Sequence, residues 1–93
     1  MEKKNTAVLT VVGNDTIGII AKVSTALFEM NINVLEISQT ILDGYFTMLM
    51  IVDMTDATAA FTPVAEKLNK LGEEMGEVIS IQRTDVFDAM HRI

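Results

Sequence analysis

The chain has 93 residues, of which 49% are apolar and 5% aromatic, with no Cys, no Trp and a net charge of −6. That length suits one domain with a mainly aliphatic core, in which the 7 Met residues serve as adaptable filler. The acidic balance disfavours nucleic-acid backbones and anionic membrane surfaces, and the missing Cys excludes disulfides, thiol chemistry and Cys-ligated zinc or iron–sulfur centres.

Met1-Glu2-Lys3-Lys4 leads into the chain without the apolar stretch of a secretory signal, and no apolar run approaches the roughly 20 residues of a membrane span. A cytoplasmic location is therefore expected. Residues 6–12, Thr-Ala-Val-Leu-Thr-Val-Val, are rich in β-branched side chains and predict a first strand ended by Gly13. Their weak alternation predicts burial on both faces.

Gly13-Asn14-Asp15-Thr16-Ile17-Gly18 reads as a turn. Asn, Asp and Thr are N-capping residues, so a helix is expected from about Thr16 to Met30. Ile19, Val23, Ala26 and Met30 form one apolar row and Ile20, Val23 and Leu27 the next, with Lys22, Thr25 and Glu29 on the other side. Asn31 is a suitable left-handed stop.

Residues 33–42 and 45–54 flank Asp43-Gly44, a strong type I′ hairpin signal. As a two-residue turn it sets Leu42 opposite Tyr45, Ile41 opposite Phe46, Gln39 opposite Met48, Ile37 opposite Met50 and Leu35 opposite Val52. One hairpin face is then nearly all apolar. The other carries Glu36, Ser38, Thr40, Thr47 and Asp53, with Leu49 and Ile51 among them. A second helix is expected to start between Thr58 and Pro63 and to end near Met75, with Val64, Leu68, Leu71 and Met75 as its stripe. Gly72 and Gly76 read as fraying and termination, residues 77–84 as the last strand, and Asp85–Ile93 as a short tail.

The order β-α-β-β-α-β contains two βαβ halves. It predicts an α+β, ferredoxin-like domain over residues 1–93: a four-stranded antiparallel sheet in the order 2-3-1-4 with both helices on one face. Strand 2 then forms an open edge, and Leu49 and Ile51 lie on the uncovered face. Both features suggest a partner.

Candidates for catalysis are few. His91 is the single His, and no Gly-x-Ser-x-Gly elbow is present. Asp85, Asp88 and His91 have metal-compatible spacing, but on a chain end a solvated tail is the simpler reading. Gly13-x-x-x-x-Gly18 opens like a phosphate-binding loop, yet Ile19-Ile20 stands where Lys and Ser/Thr are required. No enzyme activity, metal or cofactor is expected. The turn itself can bind: a helix start offers unpaired N–H groups to a carboxylate, and Asp15 adds an acid for an ammonium. Alternatively, Asp15 only caps the helix and Gly18 only permits packing.

Gly13-Asn14-Asp15-Thr16-Ile17-Gly18-Ile19-Ile20-Ala21-Lys22-Val23, followed by Asn31-Ile32-Asn33-Val34, resembles the start of an ACT domain. Element order and length extend the resemblance over nearly the whole chain. The tail is similar to that of small stand-alone ACT proteins of bacteria and archaea. The first half also resembles the ACT regions of a glycine-cleavage regulator and of formyltetrahydrofolate deformylase. The resemblance implies a regulatory domain that binds an amino acid or related metabolite. It further implies a homodimer through strand 2 and helix 1, with ligand at the seam. The implied ligand-binding residues are Asn14, Asp15, Thr16, Ile17, Gly18 and Ile19 of one chain and Asn33 of its partner. Thr16 and Ile17 stand where many members have Arg and Pro, and Gly13 where a serine-binding relative has His, which leaves the ligand's identity open. With no second domain expected, regulation of a protein target would act in trans. The competing reading is a ligand-free interaction module using the sheet face around Leu49 and Ile51.

Overall fold

The computed structural model of the protein describes residues 5–14 and 18–86. The elements run β1 (Thr6–Asn14), α1 (Ile19–Glu29), β2 (Asn33–Leu42), β3 (Tyr45–Asp53), α2 (Phe61–Met75) and β4 (Glu77–Arg83). Residues 84–86 begin a helical turn; the rest of the tail, including Asp88 and His91, lies outside the described residues.

All neighbouring strands pair antiparallel, in the order β2-β3-β1-β4. Leu9, Val11, Met48, Met50 and Ile79 share one sheet face and are buried in one core with Ile19, Val23 and Leu27 of α1 and Val64 and Leu68 of α2. Both helices therefore cover that face, as the ferredoxin-like reading requires. Ala7, Leu9 and Val11 of β1 are buried on this face, and from Leu9 onward they alternate with more open positions as a half-covered sheet demands. The expected burial of β1 on both faces holds at Val8 and fails towards the strand's end: on the uncovered face Thr10 is half-buried and Val12 is exposed. Leu49 and Ile51 on the same face are half-buried, shielded by neighbouring strands.

The hairpin turns at Asp43 and Gly44, both at positive φ as a type I′ turn needs. The register is as the two-residue turn dictates from Leu42–Tyr45 through Ile37–Met50 to Glu36–Ile51. Beyond that, a bulge places Val34, not Leu35, opposite Val52. Leu35 is the extra residue and is exposed, while Val34 packs on the core.

Two further boundaries differ from the sequence reading. β1 runs on through Gly13 and Asn14, because both find ladder partners: Phe46 and Glu77 flank Gly13, and Tyr45 faces Asn14. α1 begins later, at Ile19, with Gly18 as its N-cap at φ 84° and no capping side-chain hydrogen bond. That φ is costly for any residue with a β-carbon, which accounts for Gly at this position. α2 starts at Phe61, so Pro63 falls in its first turn, where no N–H is needed. It passes through Gly72 without fraying and ends at Gly76.

Candidate functional site

The described residues of the predicted site fall into two groups at opposite ends of the sheet. Asn14 closes β1 and is exposed; Gly18 follows at the start of α1 and is exposed too. Nothing stands within 4 Å of an added β-carbon on Gly18, so the space beside it is open. Ile19 sends its side chain into the core, leaving only its backbone for a ligand. Asp15, Thr16 and Ile17 lie outside the described residues.

Asn33 opens β2 and pairs with Asp53, which in turn pairs with Thr6 at the start of β1. Thr6 and Asn14 are eight residues apart on one strand, a separation of roughly 26 Å at the usual strand rise. One chain therefore does not bring Asn33 to the turn. The exposed Asn33 lines its own cleft of about 350 Å³ with Phe28, Asn31, Ile32, Asp53 and Asp56. Asn31 sits at φ 58°, the left-handed stop expected of it, and donates from Nδ2 to the Asp56 carbonyl at 2.9 Å. Thr58 N–H donates to the Met30 carbonyl at 3.0 Å, so the loop after β3 is tied to the end of α1. The Asp53 carboxylate accepts from the Thr55 hydroxyl at 2.5 Å and the Thr55 N–H at 2.9 Å, which together hold its pKa below the usual carboxylate value. A larger groove, about 550 Å³, runs between the outer faces of α1 and α2 and contains none of the predicted site residues.

Two features beside these groups escaped the sequence reading. Glu77, the first residue of β4, is buried against Gly13 at the root of the turn. A Glu at a strand start reads as solvent-facing, and only the bare Gly13 opposite it could have signalled otherwise. The second is an apolar flank. Ile37 and Ile41 point to the helix side of β2 but remain exposed, because the helices cover β3, β1 and β4. Ile20 and Phe28 of α1 are exposed as well, Phe28 to 82%. Among the described residues, no helix is long and apolar enough to cross a membrane and no acid or His cluster is arranged for a metal.

Residues 5–82 match the family model of the ACT domain. A UPF0237 protein of Bifidobacterium longum is 53% identical over 89 residues, covering 96% of this chain and 99% of that protein. Among solved structures, an ACT domain protein from Streptococcus pneumoniae superposes with a TM-score of 0.79 at 40% identity, covering 92% of this chain and 97% of its own. A putative glycine cleavage system transcriptional repressor (TM-score 0.72, 25% identity) is matched over 85% of this chain and 45% of that one. A formyltetrahydrofolate deformylase from Pseudomonas syringae (TM-score 0.76, 25% identity) is matched over 83% of this chain and only 26% of the enzyme. ACT domains are generally regulatory, small-molecule-binding domains. On its sequence and its fold alike, this chain belongs to the ACT domain family.

Proposed function

We propose that the protein is a non-catalytic, cytoplasmic sensor of an amino acid or related metabolite. It works as a single ACT domain, pairs with a second copy through β2 and α1, and regulates a target protein in trans. The observation that carries this reading is the separation of the turn from Asn33. Antiparallel pairing of two β2 edges about a two-fold axis puts the turn end of one chain beside the Asn33 end of the other. The site made of Asn14, Asp15, Thr16, Ile17, Gly18 and Ile19 is then completed by the partner's Asn33. The exposed Ile20, Phe28, Ile37 and Ile41 supply apolar surface along that seam. The regulatory family to which the chain belongs supports the same reading.

A thermal-shift screen of the twenty amino acids tests it. A ligand at ~100 times its Kd adds about 2.7 kcal/mol of stability, and each 1 kcal/mol moves Tm by about 4–8 °C in a domain of roughly this size. The shift is expected to disappear in Asp15→Ala and in Asn33→Ala. No shift with amino acids, purines or folates would sink the sensor.

A second reading rests on the uncovered sheet face, where Val12, Val78 and Tyr45 are exposed beside Leu49 and Ile51. A ligand-free interaction module would use this face. Leu49→Lys would then abolish target binding while Asp15→Ala leaves it intact, the reverse of what the sensor requires.

A further inference from the structure

The groove between α1 and α2, about 550 Å³ in volume, belongs to neither group of predicted site residues. α1 gives it Ala21, Thr25 and Ala26, and α2 gives it Leu71. Ala26 is buried and Leu71 half-buried, so these two form the floor. Ala21 and Thr25 are exposed and short, which keeps the α1 wall low. From Ala21 to Glu29 the groove follows α1 for roughly 12 Å, or about two turns. A small ligand needs a cleft that buries most of its surface, and a low-walled trough does not supply that. An amphipathic helix fits better, because it lays one apolar stripe on the floor and covers the rest with its own side chains.

Charge sets the chemistry of that helix. The chain carries a net −6, yet three of the four Lys and Arg side chains among the described residues line this groove: Lys22, Lys67 and Lys70. The fourth, Arg83, lies over the Phe61 ring. Lys67 and Lys70 are neighbours on one side of α2, and Lys22 stands across from that helix in the first turn of α1. Glu29 and Glu74 line the groove as well, each in the last turn of its helix. β1 and β3 are antiparallel, so the helices that follow them in the two halves of the fold are antiparallel too, and these two acids stand at opposite ends. Among the described residues none of the five charged side chains takes part in an ion pair. A surface that is acidic elsewhere repels an acidic segment and turns it toward this groove. None of Ile20, Phe28, Ile37 and Ile41 lines it, so pairing of two copies through the proposed seam does not use it.

We infer that the α1–α2 groove is the docking surface for the regulated target and takes an acidic amphipathic helix of that protein. Its apolar stripe rests on Ala26 and Leu71, and its acidic side chains meet Lys22, Lys67 and Lys70. The inference rests only on the part of the proposed function that has the domain act on a target in trans. It requires neither a bound amino acid nor the uncovered sheet face.

Three fluorescein-labelled peptides of about 18 residues, long enough to hold a helix, test it. The first has leucines at helical spacing flanked by glutamates in its middle turns. The second has lysines in place of the glutamates, and the third keeps the glutamates but has serines in place of the leucines. Anisotropy titrations are run on the wild type and on the double substitution Lys67→Glu with Lys70→Glu, at two exposed positions, after a check for a cooperative melt. The wild type is expected to bind the first peptide at least about tenfold more tightly than the second, against its own net charge. It is expected to lose a similar factor, about tenfold, with the third. The double substitution is expected to reverse the preference between the first two. Amide NMR shifts on adding the first peptide to the wild type are expected at Ala21, Thr25 and Leu71. Tighter binding of the lysine peptide, a preference unchanged by the double substitution, shifts confined to other surfaces, or no binding of any peptide each overturns the docking groove. The sensor then still stands or falls on the amino-acid screen alone.

Discussion

The carboxylate of Glu77 rests on the α-carbon of Gly13, in the space where any other residue would place its β-carbon. Gly13→Ala must therefore displace a buried side chain. Overpacking of this kind costs about 1–3 kcal/mol. Chemical-denaturation midpoints are expected to fall accordingly. Because the two positions share one volume, their effects will not add. Gly13→Ala combined with Glu77→Ala is expected to be more stable than the sum of the two single losses implies. Simple additivity would show that the socket is not a tight one.

Gly72 offers a sharper contrast, because local propensity and tertiary packing disagree in sign. In an exposed helix interior, Gly→Ala stabilises by roughly 0.8–1 kcal/mol. At Gly72 the new β-carbon would meet the Glu77 carbonyl at 2.7 Å, Ile79 Cγ1 at 3.0 Å and Ile79 N at 3.1 Å. Two of these atoms are backbone and cannot swing aside. Gly72→Ala is expected to lower Tm, whereas Asn69→Ala, on the exposed side of the same helix, is expected to leave it unchanged or raise it slightly. A stabilised Gly72→Ala would mean that α2 can lift from β4 at little cost.

These two glycines mark where the sequence stops being legible. Local chemistry sufficed for the hairpin, since Asp43-Gly44 dictates one turn type and hence a register. It sufficed for Asn31, which tolerates the left-handed stop, and for the strand order, which follows from connectivity. It failed where distant residues decide. No local signal ends β1 after Asn14 instead of before Gly13; the ladder partners Phe46, Tyr45 and Glu77 do. The bulge at Leu35 is similarly silent, because Val34 and Leu35 are equally apolar and only packing chooses which one turns inward. Of the candidate site, the open Gly18 and the exposed Asn33 were legible as types of residue, but their separation along the sheet follows only from the fold.

The Asp53–Thr55 contact gives a pH dependence whose sign can be worked out. The Thr55 hydroxyl, and after it the Thr55 N–H, hold the Asp53 pKa below its ordinary 3.8. A carboxylate whose pKa is depressed on folding contributes stability that is present above the unfolded pKa and is lost as pH falls through the folded one. Melting curves of the wild type and Thr55→Ala should therefore differ at neutral pH, start to approach each other below about pH 4, near the ordinary carboxylate pKa, and converge once pH has fallen through the lower folded-state value. A carbon-detected NMR titration should find the Asp53 midpoint below 3.8 in the wild type and closer to it in Thr55→Ala. Because this carboxylate faces solvent, the stability difference will be small and salt-sensitive. Equal midpoints in the two proteins would show that the hydroxyl contributes nothing.

The proposed seam makes the last prediction. Ile41 is 60% exposed on β2, and Ile37 is exposed four residues away on the same side of the strand. A lysine at an exposed edge-strand position costs a monomer little, within about 0.5 kcal/mol, and is a common natural means of blocking edge pairing. Ile37→Lys and Ile41→Lys are therefore expected to keep a cooperative melt and native circular dichroism. Sedimentation at micromolar concentration should move from dimer to monomer. If the turn of one chain and Asn33 of the other form one site, any amino-acid-induced thermal shift must vanish together with the dimer. A monomeric Ile41→Lys protein that still binds ligand would confine the site to a single chain, and Asn33 would drop out of it. A dimer that survives both substitutions would move the interface elsewhere, with the uncovered face of Val12, Val78 and Tyr45 as the next surface to test.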